Sequence, residues 1–143
     1  MQQIKFFRVI FTNEETPEKH NPPATARELA VPGTFLYSKL DPDVAGDTEK
    51  VRSLWLGTDS EGFARLVEVA MVSANEFQRM INRLAHYLVE HNYAPDLGTG
   101  FELAQEEADH TRKLADRDIG TVMVIDRQMN KWGVSEAFKT VPR

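Results

Sequence analysis

The stretch that decides the fold is residues 63–92, FARLVEVAMVSANEFQRMINRLAHYLVEHN. Its first ten residues, rich in Val and Ala with Arg65 and Glu68 set among them, read as a strand over 63–72. Ser73-Ala-Asn-Glu76 then forms a capping box, in which the serine hydroxyl accepts from the N3 amide and the glutamate reaches back to the cap. Behind it Phe77, Met80, Ile81, Leu84, Ala85 and Leu88 recur at three-and-four spacing. That periodicity predicts an amphipathic helix ending near Asn92, with Pro95 as its stop.

Toward the N-terminus, 51–57 (VRSLWLG) reads as a strand, and the spacer Thr58-Asp59-Ser60-Glu61-Gly62 suits a hairpin between it and 63–72. Residues 34–38 (TFLYS) read as another strand, and 4–11 (IKFFRVIF), apolar except for Lys5 and Arg8, as a strand covered on both faces. Residues 28–31 are at most a short edge strand before the Pro32-Gly33 turn signal. Residues 12–27, with Pro17, Pro22 and Pro23, form a surface loop long enough to carry a function or to move.

Toward the C-terminus, Thr99-Gly-Phe-Glu102 is a second capping box, opening a helix through about Ala115. Its buried stripe is Phe101, Ala104, Ala108, Thr111 and Ala115, widened by Leu103 and Leu114, and a stripe so rich in Ala implies close packing. Residues 121–127 and 134–141 form a terminal hairpin around 128–133. The order ββββααββ, with short turns between strands and both helices in one block, predicts a single α+β domain over residues 1–143. Its core is an antiparallel sheet with two antiparallel helices packed on one face.

Composition narrows the function. The chain has 143 residues, 17 Lys plus Arg against 22 Asp plus Glu, and a formal charge of −5. Its basic residues are dispersed, which argues against nucleic acid as a partner. No run approaches the roughly 20 apolar residues of a membrane span, and nothing at the start reads as a signal peptide. There is no cysteine. Disulfides, thiolate metal sites and a cysteine nucleophile are thereby excluded, and the composition fits a reducing cytoplasm.

The most chemical pattern is Glu107-Ala-Asp-His110, the Glu-x-x-His spacing of carboxylate-bridged di-iron ligands. A second such motif is missing, because His86 and Glu90 lie four apart on the solvent side of the first helix. Glu107 falls inside the apolar arc of its own helix. There it either titrates with a raised pKa or, as buried carboxylates ordinarily do, pairs with Lys5, Arg8 or an arginine from another strand. His86 to His91 superficially follows the His-x-x-Glu-His zinc pattern but has one residue too many, leaving the imidazoles about 140° apart around the helix. Gly98-Thr-Gly100 could cradle a phosphate, but no strand leads into it, and it reads as the link between the helices. His20 reads as a solvated loop residue.

Trp55 and Trp132 are either sheet packing or interface anchors. Strands 4–11 and 121–127 carry apolar residues on both faces. Something must then cover the second face, and another copy or a partner subunit is the economical candidate.

Several stretches resemble a family of small proteobacterial proteins of unknown function: KFFRVIF, ELAVPGTFLYS, SLWLGTDSEGFARLVEVA, APDL followed by AQEEADHTRKLAD, and SEAFKTV. The resemblance implies no catalytic residues. It implies a helper or small subunit, encoded near biotin/lipoate-ligase-like and formate dehydrogenase accessory genes.

The leading expectation is a non-catalytic cytoplasmic accessory protein without cofactor or metal. It would act as a homodimer or as a small subunit of a metabolic or cofactor-maturation complex, with Trp55 and Trp132 at the interface. The alternative is a small-molecule- or metal-binding module, or a small enzyme, with a pocket around Glu107 and His110 reached by Arg8 or Arg65.

Overall fold

In the computed structural model, which describes residues 3–12 and 22–142, the sheet is organised by its two longest neighbours. Strands β1 (Gln3–Thr12) and β4 (Phe63–Ser73) pair antiparallel from Gln3↔Ser73 to Thr12↔Ala64, with irregularities in register between Val9 and Thr12. Two short strands, β2 (Leu29–Val31) and β3 (Trp55–Gly57), bridge the far edges of this pair. Strand β1 pairs with β2, β2 with β3, and β3 with the start of β4. The first four strands thus close a circuit. A long hairpin of β5 (Val122–Asn130) and β6 (Gly133–Val141) joins β4 through Val67↔Met123 and Glu68↔Val122.

The alternation of side chains now explains why both faces are apolar. One face, carrying Ile4, Phe6, Val31, Leu56 and Val72, lies under the helices α2 (Ala74–Glu90) and α3 (Leu97–Leu114). The other carries Phe7, Val9, Ala30, Ala64, Val67, Val69, Met123 and Ile125, and the curl of the sheet itself buries it. Trp55 fills that interior, fully buried, with its ring 4.9 Å from Phe7 and 6.0 Å from Phe138. The second apolar face therefore finds its cover within the chain. Burying one such large apolar side chain stabilises the fold by roughly 1.5–3 kcal/mol.

The α+β class and the order of the long elements are as the sequence predicts. Ser73 caps α2 by accepting from the Glu76 amide at 3.1 Å. Helix α3 begins earlier than the second capping box places it, because Asp96 is the cap and accepts from the Thr99 amide at 2.8 Å. Gly98 and Gly100 accordingly lie in its first turn and not in a link. A Cβ on Gly100 would stand 2.8 Å from the Ala85 carbonyl oxygen, so this glycine lets α2 and α3 approach closely.

Other boundaries also move. Residues 34–38 are not a strand: Thr34–Leu36 form a single 3-10 turn after Gly33, whose φ of 71° bends the chain away from the sheet. Residues 51–54 are outside the ladder, and only Trp55–Gly57 pair. Within 28–31, Leu29–Val31 form a true strand, paired on both sides and not at an edge. A one-turn helix α1 (Asp47–Lys50) occupies part of the polar connection. Most of the loop over 12–27, His20 included, lies outside the described residues. No helix among those described is long and apolar enough to cross a membrane.

One buried carboxylate fastens the β3–β4 turn. Glu28, 8% exposed, accepts from the Thr25 amide at 2.5 Å, the Asp59 amide at 2.9 Å, the Ser60 amide at 3.0 Å and the Ser60 hydroxyl at 2.6 Å. Gly57 leaves room for it, since a Cβ there would lie 2.5 Å from the carboxylate.

Candidate functional site

The inward face of the terminal hairpin runs Met123, Ile125, Arg127 on β5 and Phe138, Glu136 on β6, with Ile125 opposite Phe138 and Arg127 opposite Glu136. The period of two therefore carries a cation and a carboxylate into the protein just past the apolar layer. The Arg127 side chain is completely buried. Its Nε donates to Glu136 at 2.6 Å, and its other nitrogens donate to the carbonyls of Arg52 at 2.7 Å, Leu54 at 3.1 Å and Pro32 at 2.9 Å. The guanidinium also lies 4.4 Å from the Tyr37 ring centre. Residues 51–54 stay out of the ladder because two of their carbonyls are given to this arginine. Burial pushes the Tyr37 hydroxyl up, while the charge of Arg127 opposes the shift.

Two carboxylates grip the turn beside Arg127. Glu136 accepts from the Thr34 hydroxyl at 2.7 Å, and Glu107, from α3, accepts from the Gly33 amide at 3.2 Å. Burial raises the Glu107 pKa to about 7; the Gly33 amide opposes the shift, the charge of Glu136 adds to it, and the charge of Arg127 reduces it. The ion-pair partner expected for Glu107 is thus replaced by one backbone N–H, while the nearby arginine is committed to Glu136.

Outside this cluster is a cleft of about 530 Å³, lined by Thr34, Tyr37, His110, Trp132, Glu136 and Phe138 among others. His110 stands with its ring 6.0 Å from Phe138. Trp132, at the hairpin tip, is 83% exposed with Lys131 Nζ 4.2 Å from its ring centre. Glu107 is one helical turn from His110 but does not line the cleft. No third metal-ligating group gathers with these two among the described residues.

The other expected site residues are elsewhere. Arg8 makes a two-pronged pair with Glu76, at 2.8 and 2.6 Å, and donates to the Arg27 carbonyl at 2.9 Å. The pair holds the Glu76 carboxyl below its ordinary range and draws it away from the reciprocal capping bond. Arg65 lies over the Phe11 ring at 5.4 Å. Neither arginine reaches Glu107. Trp55 has no exposed surface, so of the two tryptophans only Trp132 presents its ring to solvent. Arg127, Glu136, Thr34 and Tyr37 were not anticipated. The signal for Arg127 was in the strand itself, where it has the same parity as Met123 and Ile125.

Residues 4–143 match a family described as a family of unknown function, DUF6505. The chain belongs to that family. No curated protein and no solved structure matches it.

Proposed function

We propose that the protein is a non-catalytic binding module whose working surface is the cleft between the terminal hairpin and α3, and that its occupant is a small polar molecule. The observation that carries this reading is the cleft itself. At about 530 Å³ it falls in the range of small-molecule sites, with the aromatic rings of Tyr37, Trp132 and Phe138 beside the polar groups of Thr34, His110 and Glu136. Binding is favoured over catalysis because the strongest groups are already engaged. Arg127 donates to Glu136 and three carbonyls, Glu136 also holds Thr34, and His110 has no base or nucleophile bonded to it among the described residues.

Work as an accessory protein of a cytoplasmic metabolic or cofactor-maturation system accords with the lack of cysteine and with the family resemblance. A second reading, a homodimer or small subunit docked through the hairpin tip, draws on the exposure of Trp132. Native mass spectrometry of untagged protein from its own cells separates the two. A single chain carrying an added small mass, lost in Trp132→Ala and His110→Ala, is the expected result. A bare dimer or heteromer that Trp132→Ala dissociates would overturn the binding-module reading in favour of the second.

A further inference from the structure

The turn that leaves β2 is gripped by three side chains beside the hairpin cleft. Arg127 donates to the Pro32 carbonyl at 2.9 Å, Glu107 accepts from the Gly33 amide at 3.2 Å, and Glu136 accepts from the Thr34 hydroxyl at 2.7 Å. The chain bends at Gly33, where φ is 71°, and the 3-10 turn begins at Thr34. Thr34, Tyr37, Ser38 and Leu40 all line the cleft. The seating of the 32–34 turn therefore sets one wall of it. Farther along, Phe35 packs edge-on against Tyr93 and Tyr87, with ring centroids 5.2 and 6.2 Å apart, and anchors the same segment independently of the turn.

The grip holds two carboxylates but one cation. Arg127 meets Glu136 through Nε and Nη2 at 2.6 and 2.5 Å, the carbonyls of Arg52 and Leu54 through Nη1, and that of Pro32 through Nη2. A guanidinium carries five N–H donors, and these contacts occupy them all. Glu107 is left with the Gly33 amide. The charges that act on it are Glu136 from β6, which opposes its ionisation, and Arg127 from β5, which favours it by less; none comes from α2, β1 or β2 among the described residues. Tyr37, against Arg127, has its hydroxyl pushed up by burial, and His110 lies one turn along α3. Ionising Glu107 strengthens its bond to the Gly33 amide but puts a second negative charge, largely out of water, on a turn that Glu136 already holds. Burial outweighs the amide, and the pKa rises to about 7.

We propose that Glu107 is a proton-operated latch for this wall of the cleft: protonated, it keeps the Gly33–Thr34 turn seated, and ionised, it loosens the turn and parts Thr34 from Glu136. The consequence for binding rests on the reading of the cleft as the working surface. The sign follows from the raised pKa. What Glu107 contributes to the seated turn is complete below about pH 4.5 and is lost as pH rises through 7. Loosening stays local, because Phe35 keeps the segment attached.

The test is amide hydrogen exchange, read by NMR on the untagged full chain at pH 6 and pH 8. Each rate is divided by that of an unstructured peptide at the same pH. The Gly33, Leu36 and Tyr37 amides, all bonded in the seated turn, should lose at least tenfold in protection between the two. They should also exchange faster than the slowest amides of α2, because the turn opens without the whole fold. Glu107→Gln should remove the loss, and His110→Ala, which takes away the neighbouring imidazole, should keep it. Equal protection at both pH values, a loss that persists in Glu107→Gln, or exchange no faster than the slowest α2 amides would overturn the proposal. No ligand enters this experiment, so its outcome is separate from that of the mass measurement on which the binding reading depends.

Discussion

Glu28 and Glu107 are both carboxylates drawn out of water, and the fold treats them oppositely. Glu28 meets four donors from the Thr25 amide and the Asp59–Ser60 turn, and it fastens the β3–β4 hairpin. Glu107 meets one, the Gly33 amide at 3.2 Å, and it has a second carboxylate, Glu136, for a neighbour. Four donors complete the Glu28 carboxylate, whereas a single amide leaves Glu107 short of donors, and burial then raises the Glu107 pKa to about 7. The arginines differ too. Arg8, on β1, meets Glu76 and the Arg27 carbonyl at the partly exposed start of α2, whereas Arg127 is sealed inside with Glu136 and three carbonyls.

The largest effect should come from breaking the Arg127 end of this comparison. Arg127→Ala leaves Glu136 buried without its cation and three carbonyls without donors, and it should cost about 3–5 kcal/mol in urea unfolding. Glu28→Ala breaks the other end by orphaning four donors around the β3–β4 turn. A loss of about 3 kcal/mol is expected, with hydrogen exchange accelerated first at Asp59 and Ser60.

Glu107→Gln sharpens the contrast. Because the Glu107 pKa rises from 4.5 to about 7 on folding, the native chain holds a proton that the unfolded chain has released between those values. The stability this group contributes is complete below about pH 4.5 and is lost as pH rises through 7, a change of about 3 kcal/mol. The glutamine variant should lack that slope and be more stable than wild type at pH 8, as measured by unfolding midpoints across pH. The smallest effect is expected at Trp132, where alanine should shift stability by no more than about 0.5 kcal/mol, because the ring is exposed.

How far the sequence exposes these features depends on whether they are local. The Ser73 cap and the stripe from Phe77 to Leu88 are local, and they place α2 correctly. The stripe Ala104, Ala108, Thr111, Ala115 also buries as its spacing requires. The misread strand at 34–38 is a tertiary effect: TFLYS has strand-like composition, but the left-handed Gly33 and the seating of Tyr37 under Arg127 turn it into a 3-10 helix. The second apolar face suggested a partner because alternation shows that a face is covered without showing what covers it; here the sheet does so by closing on itself. Glu107 was legible as a carboxylate in an apolar arc. Its surroundings were not, since Gly33, Arg127 and Glu136 arrive from three other parts of the chain.

The most direct measurement is a carbon-13 NMR titration of the glutamate side-chain carboxyls from pH 4 to 9, with Glu107→Gln to assign the resonance. One carboxyl titrating near pH 7, absent from the variant, is the predicted result. If Glu107 instead titrates below about pH 5, burial does not raise its pKa, and the account of Glu107 as a carboxylate short of donors fails.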